Sequence, residues 1–429
     1  MSYYNSGIRS RILEPVLDIV NDRAEFRFEP DTLYRSDMRL LNLGAWIGTA
    51  TTTFNAKAGV YGIIDEVIMY DGNVMLDSIR PAKGYMTFKN QLKSNRKNIG
   101  VGKIMKGHNL GFVVQATRDG ETQQAFQTPQ VKFGASDAAA QASTGRFTLN
   151  LSEILPLCQA SEYLPTQVFK DMRLVIIFKK DTLNSLQSDA NFATLTTLQN
   201  PLLAVDSIVN SAVVGQVLGS WQGVGFNAIE YDSFTDPAGT GQTSVTKRLN
   251  GLNGKFVNRV LVYRSPVDAA SIVQGNVLLA GGSLRAIANI GSKVQISKNG
   301  ANMFLNPIST SSETLSMCQD TWGQLNVLPS SACAGLFNAQ DAVLTGNSNS
   351  VSAKGVCAQN RSSAGYFGCF IRDRITSLEM TLGRLQRPDA ANLVDNDRAL
   401  NKDQRVNIYA EVRKSIVLRK GGIYSIIYN

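Results

Sequence analysis

The residue types that carry proton transfer and nucleophilic attack are sparse in this chain. His108 is the single histidine among 429 residues, in Lys106-Gly107-His108-Asn109, near Lys103 and beside no acid. A general base works when a partner orients it and holds its charge. Without one, His108 reads as a surface or loop residue. Asp65 and Glu66 are adjacent on a predicted strand, so they point to opposite faces and cannot share a proton. Asp71-Gly72-Asn73 reads as a hairpin turn, because a calcium loop needs further acids at fixed offsets. Gly239-Thr240-Gly241-Gln242-Thr243-Ser244 and Gly251-Leu252-Asn253-Gly254-Lys255 lack the Lys-Ser/Thr ending of a phosphate loop. No Gly-x-Ser-x-Gly nucleophile elbow occurs. The five cysteines, Cys158, Cys318, Cys333, Cys357 and Cys369, are odd in number and show no CxxC spacing. They read as unbridged thiols of a reducing compartment, and with one histidine they do not make a zinc set. The expectation is a chain that is not an enzyme, with no catalytic, cofactor-binding or metal-binding residue and no cofactor.

Charge offers binding rather than catalysis. Lys+Arg number 43 against 34 Asp+Glu, a net +9, which permits contact with an anionic partner without demanding it. Arg9 and Arg11 stand near the N-terminus as candidates for contacts with phosphate or lipid head groups. Lys89, Lys93, Arg96, Lys97, Lys103 and Lys106 form a second basic span. Phe88 is the only aromatic there, so it does not make a base-stacking platform. It reads as a solvated face or as one half of salt bridges to a neighbouring subunit.

The elements that must position these residues are mostly strands. Only 18% of residues are charged and 36 are glycine, a mixture that suits many strands joined by turns. No secretory signal is visible at the N-terminus, and the longest apolar run, Leu174 to Phe178, is far short of a bilayer span. The chain therefore reads as a soluble protein made in the cytosol, where the sequons at Asn150 and Asn360 are coincidental.

Leu13, Val16, Leu17 and Val20 share one helical face, which predicts a short amphipathic helix over Leu13 to Asp22. Ser152 to Leu155 predicts another, with Ser152 as its N-cap. Strands are predicted at Ile63–Tyr70, Tyr85–Phe88, Gly111–Ala116, Phe147–Leu151, Arg173–Phe178 and Leu203–Val209. A second series runs through Phe256–Tyr263, Ser283–Ile290, Lys293–Ser297, Tyr366–Ile371 and Ser377–Leu382. At the end of the sequence Val406, Ile408, Ala410 and Val412 alternate with Asn407, Tyr409 and Glu411. Lys420-Gly421-Gly422 supplies a tight turn into Ile423–Tyr428, which completes a terminal hairpin. No βαβ rhythm and no fixed repeat appear. A Gly/Ser joint between Asn210 and Gly225 divides the series. Long connections are predicted at Lys180–Asn200, Asp236–Arg248 and Asn338–Ser363.

Three stretches resemble the double jelly-roll major capsid proteins of icosahedral DNA viruses, the lineage of adenovirus hexon, virophages and polinton-like viruses. They are Gly59 to Arg80 with its Asp-Gly turn, Phe147 to Phe178 with Tyr163-Leu164-Pro165, and the closing Tyr409 to Asn429. The resemblance implies an all-β chain of two consecutive antiparallel eight-stranded jelly rolls with a few short helices. Residues 1–24 would form an N-terminal arm and helix, 25–215 the first jelly roll and 216–429 the second. It also implies a major capsid protein whose homotrimers tile an icosahedral shell. Its partners would be copies of itself, neighbouring capsomers, penton and minor capsid proteins. The arm, through Arg9 and Arg11, would meet an inner membrane or packaged DNA. The place implied is the virion capsid, assembled inside the host cell. A carbohydrate- or receptor-binding β-sandwich is the alternative, and it would favour clustered aromatics, whereas Trp46, Trp221 and Trp322 are dispersed. A β-sandwich hydrolase lacks its acid/base pair.

Overall fold

Two β-sandwiches follow one another along the chain in the computed structural model. The structure describes residues 7–16, 23–43, 46–47, 53–54, 60–61, 64–82, 84–86, 89, 112–118, 121–127, 147–178, 186–187, 197–198, 200–236, 244–266, 294–308, 313, 317, 320–321, 366–383, 404–419 and 423–429.

The first sandwich uses ten labelled strands. They are β1 (Ile8–Leu13), β2 (Arg23–Arg27), β3 (Leu33–Arg35), β4 (Arg39–Leu43), β5 (Ile64–Asp71), β6 (Val74–Ile79), β7 (Phe147–Asn150), β8 (Tyr163–Pro165), β9 (Met172–Phe178) and β10 (Leu202–Ile208). One sheet has the order β2-β9-β5-β6. The other is built on β10. Strand β1 pairs with β10 over its whole length and so occupies one edge of it, while β3 and β4 share the opposite edge at different heights. Strands β7 and β8 lie beyond β4 and β3 respectively. These six strands therefore make four rows, and with the other sheet the sandwich has the eight rows of a jelly roll.

The second sandwich repeats this plan. Its strands are β11 (Gly223–Asp236), β12 (Ser244–Arg248), β13 (Phe256–Pro266), β14 (Val294–Lys298), β15 (Ala301–Asn302), β16 (Tyr366–Arg374), β17 (Leu378–Gly383), β18 (Gln404–Leu418) and β19 (Tyr424–Tyr428). One sheet has the order β12-β17-β14-β15. In the other, β18 is flanked by β11 on one edge and by β13 and β19, end to end, on the other. The Phe256 N–H donates to the Asn429 carbonyl at 2.7 Å and seals that join. With β16 outside β13 the sheet again has four rows, so the sandwich has eight. All of these pairings are antiparallel, as the sequence predicts.

Local chemistry explains the elements. Strand β9, MRLVIIF, is rich in β-branched residues and is buried along most of its length between β2 and β5. The β5–β6 hairpin turns at Gly72-Asn73, where Gly72 takes the positive φ (+55°) that a side chain would resist. The buried apolar side chains of both sandwiches join in one connected cluster. Phe26, Leu174 and Ile176 lie at the first end of it, and Val260, Phe367 and Met380 at the other.

Several expectations are corrected. Leu13 closes strand β1, where pairing with β10 satisfies its backbone, and Glu14 to Val16 are not helical either, with the Val16 N–H donating to the Glu25 carbonyl at 2.8 Å; residues 17–22 of the predicted helix lie outside the described residues. Ile8–Leu13 is thus a row of the first sandwich instead of part of a detached arm. Tyr85, predicted extended, is helical with Met86 and inserts into a tertiary contact with the second sandwich that overrides its strand propensity. The helix predicted at Ser152 is α1 (Leu151–Ile154); its cap position is Asn150 and not Ser152, no side chain caps it, and the Leu151 N–H is satisfied instead by the Met38 carbonyl at 2.9 Å. A second short helix, α2 (Pro156–Ala160), follows with Pro156 in its first turn, where the missing N–H costs nothing. The predicted Gly/Ser joint is a helix, α3 (Ser211–Ser220), capped by the Asn210 side chain accepting from the Ala212 N–H at 3.0 Å. Val213, Val214, Val217 and Leu218 form its half-buried stripe, with the glycines opposite. Ser283–Ile290 and the turn at residues 420–422 lie outside the described residues. So do most of the predicted long connections; within them Ser244–Arg248 is β12, and Leu186–Gln187 and Thr197–Leu198 are two-residue strands paired with Thr53–Phe54 and Trp46–Ile47 respectively.

Candidate interdomain and assembly interface

Strand β18 shows where the two sandwiches meet. The sequence pattern predicts one wet face. Instead Val406, Asn407, Ile408, Tyr409, Ala410, Glu411 and Val412 are all buried. The apolar set enters the core of the second sandwich. The other set meets the first sandwich across a seam that is apolar in mass and polar in detail.

Tyr409 donates its hydroxyl to the Pro81 carbonyl at 2.9 Å. Its ring lies between Tyr85 and Tyr231, with centroids at 5.5 and 5.0 Å. Tyr231 donates to the Asn407 side chain at 2.8 Å. Glu411 is the centre of the seam. One of its carboxylate oxygens accepts from the Tyr85 hydroxyl at 2.7 Å and from Arg259 Nη2 at 2.9 Å. The other accepts from Arg259 Nε at 2.6 Å, which completes a two-pronged pair. Arg259 also donates to the Thr321 carbonyl at 2.9 Å. Burial, and then the neighbouring Glu411 charge, push the Tyr85 phenol well above its ordinary value, so it stays protonated and remains a donor.

Further along, Tyr424 on β19 donates to Asp71 on β5 at 2.7 Å. Phe169 plugs the gap between Tyr424 and Trp221, with rings edge to face at 5.2 and 5.7 Å. Helix α2 packs on β11. Asp77 on β6 is fully buried and accepts the N–H groups of Ser78 and Leu157. Lys414 of β18 is buried beside the rings of Phe226 and Tyr428. A mixed-charge cleft of about 410 Å³ lies along the seam, between β6 and β11.

The residues singled out in the sequence fare differently. Arg9 is exposed on β1, where its carbonyl accepts from the Ser207 hydroxyl at 3.1 Å. Arg11, two residues on, is half-buried and ion-paired with Glu29. Arg11 is therefore committed within its own sandwich, which leaves Arg9 as the open cation of the two. Lys89 donates to the Glu153 carbonyl at 3.0 Å, inside the fold instead of on a basic face. Lys93, Arg96, Lys97, Lys103, Lys106 and His108 lie outside the described residues. Cys158 and Cys369 are buried free thiols, and the other three cysteines fall outside the description. Among the described residues no cluster of three or more His, Cys, Asp or Glu could hold a metal, and no helix is long and apolar enough to cross a membrane.

Sequence reasoning missed the seam charges. Asp77, Arg259, Glu411 and Lys414 each stand in strand patterns that single none of them out. Nothing in the strand QRVNIYAEVRKSIVL marks Glu411 and Lys414 out from Arg405 and Arg413, which stay exposed.

No protein-family model matches the chain, and no curated protein matches it. Solved structures do. PBCV-1 VP54, fitted into a reconstruction of the virophage Sputnik, superposes with a TM-score of 0.59 at 9% identity, covering 100% of this chain and 98% of that one. The mavirus major capsid protein superposes at 0.52 with 10% identity, covering 100% and 91%. The Faustovirus major capsid protein does so at 0.51 with 8% identity, covering 96% and 90%. Sixteen strand rows in two tandem sandwiches, matched end to end, give this chain the double jelly-roll fold of those viral major capsid proteins.

Proposed function

We propose that the chain is a major capsid protein, and that its homotrimers are pseudo-hexagonal capsomers tiling an icosahedral shell. One observation carries the reading: two complete eight-row jelly rolls in tandem, matched over nearly the full length of several viral major capsid proteins. Two similar sandwiches per chain, repeated three times about an axis, give a block with six near-equivalent sides, which packs a hexagonal lattice. Such a role is met by burial and shape complementarity and needs no reaction. The division near residue 215 falls inside α3, which serves as the link between the units. Copies of the chain, neighbouring capsomers, and penton and minor capsid proteins are the partners. Arg9 is the cation available to an anionic interior, whether nucleic acid or lipid. The protein is made in the host cell and resides in the virion capsid.

Light scattering of the purified chain tests the proposal, with negative-stain microscopy beside it. A mass three times that of the chain and six-sided particles are expected. A monomer at all concentrations that binds glycans would replace this reading with a receptor-binding sandwich.

A further inference from the structure

Two opposite charges are enclosed in the seam without touching. Asp77 is fully buried, and among the described residues its carboxylate accepts two backbone N–H groups, from Ser78 at 2.9 Å and Leu157 at 2.8 Å. Lys414 is 3% exposed, and among the described residues it makes one hydrogen bond, a long contact of 3.4 Å to the Met75 carbonyl. Among the described residues neither side chain takes part in an ion pair. An enclosed charge that lacks a contacting counter-ion is costly, and the cheapest relief for a carboxylate is a proton. Both residues line the cleft between β6 and β11, which gives a proton its route from solvent.

We propose that Asp77 is a proton-linked pin of the seam: the two sandwiches lock more tightly when it takes up a proton and loosen when it ionises. The groups around it decide the direction. Helix α2 presents the Leu157 N–H and the Cys158 thiol, β18 presents Lys414, the helical residue Lys89 adds a cation, and β19 brings Tyr428. Arg80 and Glu230 stand on the cleft walls. Burial pushes the Asp77 carboxyl up from 3.8 to about 6, against the opposing pull of the N–H groups, Lys414 and Lys89. Cys158 and Tyr428 are themselves pushed upward by burial and stay neutral in this range. A carboxyl with a raised value in the closed seam binds its proton more tightly there than when the seam opens. Stability of the closed seam therefore increases as pH falls through about 6 and is lost as pH rises through it.

Hydrogen exchange on the intact protein tests this. Peptides spanning residues 74–80 and 154–161 report the seam, and residues 172–178 of β9 serve as the reference. After correction for the intrinsic pH dependence of exchange, opening of the seam should be about tenfold greater at about pH 7.5 than at about pH 5. Asp77→Asn should abolish that difference. Should that variant not fold, Lys414→Met is read instead: removing the nearby cation favours the neutral carboxyl, so the transition should move to higher pH. Equal opening of the natural chain at the two pH values would overturn the proposal. So would a pH dependence that survives Asp77→Asn, or a transition unmoved or lowered by Lys414→Met.

Discussion

Strands β1 and β18 look alike on paper. Each sets arginine or lysine between β-branched residues at period two, IRSRIL in one and RVNIYAEVRKSIV in the other. In the molecule they are opposites. Strand β1 is an edge row, paired among the described residues with β10 alone, and Ile12 within it is 61% exposed. Strand β18 is paired along both edges, and from Val406 to Val412 it is covered on both faces. Arg9 therefore keeps its water, while Glu411 and Lys414 lose theirs and must be served by protein groups. The same residue types do solvation work at the margin of a sheet and registration work at its centre.

The strongest way to break this comparison is to remove part of the central strand's support. Truncation after Lys420 deletes β19, opens the lower edge of β18 and removes Tyr424 and Tyr428 from the seam. Loss of soluble protein is expected, read as the soluble fraction and by sizing. Normal yield and assembly would mean that β18 does not depend on its neighbour.

Next in size is Glu411→Leu, which removes the buried carboxylate that pairs with the Arg259 guanidinium and accepts from the Tyr85 hydroxyl. Breaking a buried pair from one side costs about 3–5 kcal/mol. The urea midpoint should fall accordingly. Glu411→Gln retains an acceptor for Tyr85 and should fall less.

Tyr424→Phe deletes one hydrogen bond across the seam, to Asp71, at a cost of about 1 kcal/mol. The same denaturation experiment measures it.

The smallest effects belong to β1. Arg11→Ala removes a half-buried pair with Glu29 and should cost less than about 1 kcal/mol, while Arg9→Ala should leave the midpoint unchanged within about 0.5 kcal/mol. If Arg9→Ala destabilised the subunit as much as Glu411→Leu, the edge and the centre would be equivalent and the contrast would fail.

Much of the architecture was legible from residue order. Runs such as MRLVIIF and FVNRVLVYRSP have one stable use, as strands in a sandwich, because β-branched and aromatic residues fit a pleated buried surface whatever lies elsewhere. Gly72 announced its turn because only glycine takes its positive φ freely.

What composition and period could not decide is which strand is central and which is marginal. That choice is made by pairings between residues far apart in sequence, such as Ile8 with Ile208 and Gly223 with Val417. A period-two pattern states that a strand has two faces; it does not state what covers each one. The second face of β18 is covered by Pro81 and Tyr85, more than three hundred residues earlier in the chain. Residue types therefore determined the strands and turns of this protein through local sterics and hydrophobic patterning. The tertiary structure alone decided which charges were taken out of water, because desolvation depends on every neighbour at once.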